Sequence, residues 1–523
     1  MSSASWNADC GNGTYRNPVL YTDYSDPDAV RVGSDYYMVA SSFSNVPGLP
    51  LLRSKDLVNW ELVTYVLKKL PAKRYERPVH GCGVWAPSIR FHEGVFFVCF
   101  PMPDEGIYMC TATDPEGKWS DPVMIKEGPG WIDPCPFWDD DGKAYLVYGV
   151  AKSRIGYKSV LWLQEMRPNG LGLAGEPMKI FDGNENDQST IEGPKLYKRN
   201  GYYYIFAPAG GVKTGWQTVL RSRDICGPYE YRVVLRQGES GINGPHQGAW
   251  VDTVNGEEWF LHFRDVYAAG RIVYLQPMQW KEDWPIIGIP KNGEEWGEPV
   301  DCYLKPDVGA KAAICAAAFR ESAPDLSLQW NANPQKGWRR ERGGGICLNA
   351  VLKDGVYGDI PNLLLKKWSA PEFSCVYFFV LSSLTSGDEA GMISMGMEYG
   401  ALSFVRDEER IRIFRVHGKQ IFGKILCERT EEKKEEIGEL PADTDRVFIS
   451  YSVEQKGERT LGEDPIRYPE ETVCMLYGTD KAEFSEGLTM TASPGRWVGV
   501  KYGFFCCSAK EESEGHVTIL PAL

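Results

Sequence analysis

The sequence predicts an all-β protein, a five-bladed β-propeller followed by a β-sandwich. First, a hairpin pattern occurs five times before residue 290. Second, the same region lacks convincing helical periodicity. Third, strand-like segments continue after Leu326, but the repeat stops there. Four-stranded units repeated about every 50 to 60 residues are typical of propeller blades, and a chain of 523 residues favours two domains.

Each repeat opens on one residue, called here its entry residue, which precedes a strand, a turn and an aromatic strand. The first repeat, Ser25 to Val39, reads SDPDAVRVGSDYYMV and turns at Gly33. The entry residues are Asp26, Trp85, Asp133, Glu192 and His246, which lie 59, 48, 59 and 54 positions apart. Because the first strand of a blade lines the propeller axis, we expect these five residues to converge at one mouth of the channel. A sandwich of unrelated hairpins is the alternative, but the regular period favours the propeller.

The predicted domain organisation has four parts. Residues 1–15 form an N-terminal extension, 16–305 the propeller, 306–325 a linker and 326–523 the sandwich. Within the linker, the small-residue run from Val308 to Phe319 reads as a connector or a strand. Two charged stretches, Glu431 to Glu436 (EEKKEE) and Lys456 to Pro465, are interpreted as solvated loops.

Composition excludes several classes of function. A net charge of −14 argues against binding to nucleic acid or to anionic membranes, and no run of 18 apolar residues predicts a membrane span. The 14 cysteines are scattered without a CxxC pair, so they are interpreted as buried reduced thiols. With no apparent signal peptide at the start of the chain, the prediction is a cytoplasmic protein. The sequence leaves open whether it forms a homo-oligomer.

Three carboxylates at one axis, without a metal-ligand cluster, indicate acid–base chemistry. Glycoside hydrolysis needs two carboxyl groups in opposite protonation states, and a third negative charge raises the pKa of the acid. Glu192, with its longer side chain before Gly193-Pro194, is the predicted acid. The residues alone do not decide between Asp26 and Asp133 as the base. The alternative, that each acid caps a turn or pairs with an arginine, becomes less attractive because all three occupy the same position in the repeat.

With these residues in these motifs, the chain resembles glycoside hydrolase family 43, the five-bladed propeller enzymes that act on terminal pentoses of hemicellulose. The stretches that carry the resemblance run in the family's order from residue 17 to about 284 and include NPVLYTDYSDPDAVRVGSDYYMVASSF, GVWAPSIR, WIDPCPFWDDDGKAYLV, IEGPKLYKRNGYYYI and HFRDVYAAGRIVYLQPMQW. The segment SLQWNANPQKGW is similar, less closely, to the start of the lectin-like (jelly-roll) β-sandwich that many members append. In those members the sandwich helps to close the pocket.

The resemblance implies a role for each site residue. Asp26 would be the general base and Glu192 the general acid. Asp133 would be the aspartate that tunes the pKa of the acid and orients it. The subsite for the terminal sugar would contain three further residues: Phe43 and Trp85 as walls, and Arg271 as a ligand of the hydroxyls. His246 would lie near a structural calcium ion or a water molecule, with a polar plug as the alternative; no cofactor is required.

The implied activity is exo-acting, inverting hydrolysis that releases α-L-arabinofuranose and/or β-D-xylose from arabinoxylan, arabinan or xylan fragments. By the same resemblance, an arabinofuranosidase is favoured over a xylosidase by two motif forms, DYSDPDAVR and SSFSNVPGLP. Two alternatives stay open: an endo-arabinanase, which needs an open groove, and a carbohydrate-binding protein without catalysis.

Overall fold

The structure is a computed structural model that describes residues 6–291, 293–309, 320–322, 326–342, 345–461 and 466–522. The predicted propeller and sandwich are both present. Each blade contains an antiparallel meander of four consecutive strands, with hydrogen bonds between neighbours in chain order. The blade strands are Asp28–Val32, Asp35–Val39, Gly48–Ser54 and Trp60–Leu67 (blade I); Ser88–His92, Val95–Met102, Gly106–Ala112 and Val123–Glu127 (II); Trp131–Trp138, Ala144–Val150, Val160–Met166 and Met178–Asp182 (III); Lys195–Arg199, Tyr202–Ala209, Trp216–Ser222 and Glu230–Leu235 (IV); His246–Asp252, Glu258–Asp265, Arg271–Lys281 and Trp284–Ile287 (V).

Aromatic side chains pack between neighbouring blades, which accounts for much of the aromatic content of the propeller. Tyr37 of blade I meets Phe96 of blade II edge-on with centroids 5.3 Å apart. Phe206 of blade IV stacks on Phe260 of blade V at 5.9 Å. Large aromatic rings bury the most apolar area per residue, so they suit twisted sheets that touch face to face.

The chain closes the propeller by pairing a segment before blade I with one after blade V. Thr14–Arg16 forms a two-stranded sheet with Cys302–Leu304, and Tyr15 donates its hydroxyl to the Leu275 carbonyl at 2.8 Å. Further short strands extend the edges: Ile289–Pro290 and Gly297–Glu298 at blade IV, and Arg320–Glu321 at blade I. The domain limits drawn from the sequence stay predictions; residues 310–319 and 323–325 of the predicted linker lie outside the described residues.

The C-terminal domain is a sandwich of two mainly antiparallel sheets that share an apolar core. It docks on the propeller through paired main chains, since Val46 and Trp330 exchange two hydrogen bonds of 3.0 and 2.6 Å. The first sheet runs Gln329–Trp330, Leu364–Lys367, Lys501–Ser508, Asp388–Met395, Glu398–Arg406, Arg410–Phe422, Cys427–Pro441, with Val351–Leu352 beside Lys501–Ser508. The second runs Arg339–Arg342, Gly345–Asn349, His516–Pro521, Phe373–Val380, Arg446–Arg459, Tyr468–Asp480, Glu483–Thr491.

The prediction of a loop at EEKKEE is wrong. These residues lie inside Cys427–Pro441, the edge strand of the first sheet. The strand is stabilised by its ladder to Arg410–Phe422 and by cross-strand ion pairs such as Arg415–Glu435 at 3.1 Å. Charged residues are common on edge strands because they prevent pairing with another chain. Lys456 likewise belongs to a strand, Arg446–Arg459, while residues 462–465 of that stretch lie outside the described residues.

Helical structure is minor. The described part of the chain contains one α-helical turn, Lys152–Ile155, and three 3-10 turns, Lys73–Glu76, Tyr267–Ala269 and Tyr357–Asp359. Within the described residues, no helix has the length and hydropathy needed to span a membrane. The thirteen described cysteines are free thiols, and most are at least partly buried; the expectation of burial is wrong for Cys10, Cys226 and Cys302, which are exposed turn or edge residues.

A buried ion pair lies at the axial end of blades I and II. Asp28, with a fully buried side chain, accepts hydrogen bonds from the Arg90 guanidinium at 2.7 Å and the Ile89 amide at 2.8 Å. The ammonium group of Lys195 lies 4.0 Å from the same carboxylate and donates to Pro87 and Ser88. These contacts connect the innermost strands of blades I, II and IV.

Asp28→Asn is expected to lower the free energy of unfolding by about 3–5 kcal/mol, because it leaves the buried Arg90 charge without its partner. Denaturant unfolding followed by tryptophan fluorescence measures the loss. Asp140→Asn, which changes a side chain that is 86% exposed, is the control and should change the midpoint little. A loss below about 1 kcal/mol for Asp28→Asn would show that the pair is not needed for stability.

Candidate active site

Four of the five entry residues form one connected cluster at the axis. The Asp133 carboxylate accepts the Gly193 amide at 2.8 Å, which joins blade III to the segment that carries Glu192. The Glu192 carboxyl lies 3.4 Å from Nε2 of His246 in blade V. The charge of Asp26, in blade I, acts on the Asp133 carboxyl across the axis. The structure therefore brings together four of the five entry residues that were predicted to converge.

The backbone at the two aspartates aims their side chains out of the strand direction. Asp26 and Asp133 both have φ of 55°, in the left-handed region that Asp tolerates better than most residues. Asp133 also lies at a β-bulge between Ile132 and Cys135. A second bulge, between His246 and Gly248, lies beside Gln247 in blade V. Bulges re-aim side chains next to active sites, so the local irregularities point these groups towards the axis.

Asp26 accepts hydrogen bonds on both oxygens. The hydroxyls of Ser25 and Ser41 donate to Oδ2 at 2.7 and 2.6 Å. Arg271 lies 3.3 Å from Oδ1 and also donates to the Ser25 hydroxyl at 3.0 Å. A carboxylate that accepts only, next to a guanidinium, is arranged as a base or a ligand and not as a proton donor.

Glu192 and Asp133 are neighbouring carboxyl groups, and the pKa of each is raised. Burial raises the pKa of Glu192, and the negative charges of Asp133 and Asp26 raise it further, while Arg271 and Lys158 oppose the shift. Burial and Asp26 also raise the pKa of Asp133, against the Gly193 amide, Lys195 and Gln247. Because Asp133 has these stabilising neighbours, we assign the retained proton to Glu192. The site therefore contains a protonated carboxyl near an acceptor carboxylate.

His246 is buried and uncharged. Burial lowers its pKa to about 3, and the neighbouring Arg271 guanidinium and His262 imidazole act in the same direction. Neither ring nitrogen has a hydrogen-bond partner among the described residues.

The calcium ion suggested beside His246 stays a prediction. The described residues contain no group of three or more His, Cys, Asp or Glu side chains able to hold a metal ion. Calcium prefers about 6 to 8 oxygen ligands, and a neutral imidazole is a poor substitute. A calcium ion at this position would therefore take most of its ligands from water.

The predicted sugar wall is only partly as expected. Trp85 is half-buried, and its ring lies 6.1 Å from that of Phe43. Phe43 itself is 4% exposed and bridges to Val84 through its main chain, so it supports Trp85 and offers little surface of its own. Arg154 of blade III packs over the Trp85 ring at 4.9 Å and is held by Asp104 at 3.1 Å.

The sandwich contributes a residue that the sequence did not identify. Trp497, 42% exposed, lies edge-on to Trp85 with ring centroids 6.3 Å apart. The Arg271 guanidinium is 5.8 Å from the Trp497 ring. Trp497 lies before the Lys501–Ser508 strand and has φ of 67°. Ser25, Ser41 and Gln247 are also absent from the predicted site residues. Their positions in the sequence could have indicated them, because Ser25 and Ser41 lie in the same motif as Asp26 and Gln247 follows His246.

Comparison with known proteins agrees with the geometry. Residues 15–285 match the model of Glycosyl hydrolases family 43, and residues 316–519 match the Beta xylosidase C-terminal Concanavalin A-like domain. A beta-xylosidase of Formosa agariphila is 30% identical over 99% of this chain and 91% of its own. A non-reducing end alpha-L-arabinofuranosidase of Bacteroides ovatus is 27% identical over 85% and 84% of the two chains.

Structural similarity extends over both domains. A solved bifunctional protein of Bacteroides eggerthii, titled GH43-CE, superposes with a TM-score of 0.78 at 25% identity over 99% of this chain. This chain spans 63% of the length of that protein. Because the family model matches more than half of the chain and includes every entry residue, the chain belongs to glycoside hydrolase family 43.

Proposed function

We propose that the chain is an exo-acting, inverting glycosidase that releases terminal β-D-xylose and α-L-arabinofuranose from hemicellulose oligosaccharides such as xylan and arabinoxylan fragments. The observation that carries the proposal is the pair of carboxyl groups at one axis whose surroundings differ. Glu192 has a raised pKa, and Asp26 accepts hydrogen bonds on both oxygens next to Arg271. Inverting glycosidases need one group of each kind.

In this mechanism Glu192 donates its proton to the glycosidic oxygen as the bond to the anomeric carbon breaks. Asp26 accepts a proton from a water molecule, whose oxygen attacks the opposite face of the anomeric carbon. The products are the free pentose, inverted at C1, and the shortened alcohol. Asp133 keeps Glu192 protonated through its negative charge and is itself fixed by the Gly193 amide.

Exo action is proposed because an aromatic residue of the sandwich lies at the mouth of the site. Trp85 and Trp497 come from different domains and face each other at 6.3 Å, so they restrict one side of the entrance. A wall of this kind suits a single terminal sugar, since aromatic faces pack against the apolar side of a pyranose or furanose ring. An endo-arabinanase needs a groove open at both ends.

The choice of pentose rests on the relatives. The relative that matches nearly the whole chain is named beta-xylosidase, and the arabinofuranosidase covers somewhat less of it. The motif forms in the sequence thus favour an arabinofuranosidase, whereas the name of the relative with the longer match favours a xylosidase. We propose that both linkages are cleaved.

Wild-type protein should release nitrophenol from both the β-D-xyloside and the α-L-arabinofuranoside when the two are assayed side by side. Proton NMR of the first product from a β-D-xyloside should show α-D-xylose, because water attacks from the opposite face. First-formed β-D-xylose would rule out inversion. Rapid loss of viscosity of linear arabinan, without release of terminal sugar, would favour the endo alternative.

Two substitutions separate the acid from the base. Glu192→Gln should slow hydrolysis of xylo-oligosaccharides by about 10² to 10⁴ but should affect a nitrophenyl glycoside much less, since nitrophenolate leaves without a proton. Asp26→Asn should slow both substrates by about 10² to 10⁴, because each still needs an activated water. Initial rates with sugar analysis measure both effects. Equal losses on the two substrates for Glu192→Gln would contradict its role as acid.

Asp133→Asn should shift the alkaline limb of the pH–rate profile to lower pH by about 1 unit. The acid is active only while protonated, so activity falls as pH rises through its pKa. Removing the negative charge of Asp133 lowers that pKa. Asp252→Asn, at a half-exposed carboxylate paired with Arg31, is the control and should leave the limb in place. An unchanged limb for Asp133→Asn would remove Asp133 from the acid's surroundings.

A further inference from the structure

Asp23 binds both domains with one carboxylate. It precedes Asp26 by three positions and is 5% exposed. Its Oδ1 accepts the backbone amide of Arg271 at 3.0 Å, and its Oδ2 accepts the backbone amide of Gly499 at 2.9 Å. Arg271 opens the third strand of blade V and contacts Asp26, whereas Gly499 belongs to the sandwich segment that carries Trp497.

The two main chains meet at Asp23 without room for a side chain. A Cβ added to Gly270, where φ is +83°, would lie 2.6 Å from the Gly499 nitrogen and 2.7 Å from the Asp23 carboxylate. A Cβ on Gly499 would lie 2.6 Å from the Ala269 carbonyl oxygen. Next to this contact, Val500 donates its amide to the Ala268 carbonyl at 2.8 Å. The blade V turn and the sandwich segment are therefore in backbone contact.

Two buried lysines lie beside Asp23. The Lys367 side chain donates to the Asp23 main-chain oxygen at 2.6 Å. Burial lowers the pKa of Lys367 to about 7 and also lowers the pKa of Lys501, while the charge of Asp23 opposes both shifts. The two amide donors remain the contacts that satisfy both oxygens of the buried carboxylate. Removing one acceptor oxygen leaves a buried amide unsatisfied.

We propose that Asp23 is a positioning residue that couples the sandwich to the catalytic pocket. Its two oxygens fix Arg271 against Asp26 and, at the same time, Trp497 against Trp85. The inference rests on the proposed glycosidase function. It assigns a task to the sandwich within that function: the pocket reaches its working shape only when the Gly499 segment is bound to the Asp23 carboxylate.

The test is Asp23→Asn, whose amide keeps one acceptor oxygen and replaces the other with a donor. The value of kcat/KM on nitrophenyl β-D-xyloside should fall about 10- to 100-fold, with kcat lowered through Arg271 and KM raised through Trp497. Trp497→Ala alone should mainly raise KM. In the Trp497→Ala background, Asp23→Asn should lower kcat but add little to KM, because coupled residues are not additive.

The control is Asp56→Asn. Asp56 is a buried carboxylate of blade I that also accepts two backbone amides, at 3.0 and 2.7 Å, away from the axis. It should lower the unfolding midpoint without changing kcat or KM at a temperature where the protein is folded. If Asp23→Asn does not fold, Gly499→Ala disturbs the same contact from the sandwich side and should raise KM without adding to Trp497→Ala.

The outcomes separate this proposal from the proposed function. An inactive wild type, or full activity in Glu192→Gln on oligosaccharides, would overturn the function itself. With those results as expected, a KM increase from Asp23→Asn or Gly499→Ala that is equally large with and without Trp497 would overturn the coupling. Kinetic constants for Asp23→Asn within twofold of the wild type would overturn it as well.

Discussion

The electrostatic constraint on this molecule is the presence of three carboxyl groups at one propeller axis. Like charges in a poorly solvated site repel strongly enough that one group keeps its proton. The surrounding chain decides which one. Asp26 has Arg271 and two hydroxyl donors, and Asp133 has a backbone amide. Glu192 has a neutral His246 as its neighbour, so the proton is retained where the fewest donors stabilise the charge.

The same constraint accounts for the cations below the mouth of the site. Lys195, which is fully buried, and Arg90, which is 13% exposed, lie around the buried Asp28. The charge of Lys195 also acts on Asp133. A propeller axis is lined by polar and charged residues from adjacent blades, so each buried carboxylate needs a partner from a neighbouring blade. The buried ion pairs that stabilise the fold therefore interact electrostatically with the carboxyl groups that are proposed to perform the chemistry.

Much of the fold and of the site could be predicted because the blades are repeated in the sequence and the site residues occupy equivalent positions in the repeats. Equivalent positions in five blades converge, so Asp26, Asp133, Glu192 and His246 could be selected from their place in the pattern. The division between base and tuning aspartate could not be selected this way, because it depends on Arg271 and Ser41, which reach Asp26 from other strands. The charged edge strand at EEKKEE was missed because composition does not show that a neighbouring strand supplies its ladder.

Trp497 was missed for a different reason. It reaches Trp85 through the docking of two domains, and no local pattern in GRWVGV reports which surface it will meet. The docking itself uses specific main-chain contacts: Val46 with Trp330, and Ala268 with Val500. Such contacts fix the distance between the two main chains more closely than side-chain packing does, because a hydrogen bond holds its donor and acceptor within a narrow range. A pocket wall supplied by a second domain can therefore be as precise as one supplied by a blade, provided that the backbone amide at Gly499 keeps its carboxylate partner.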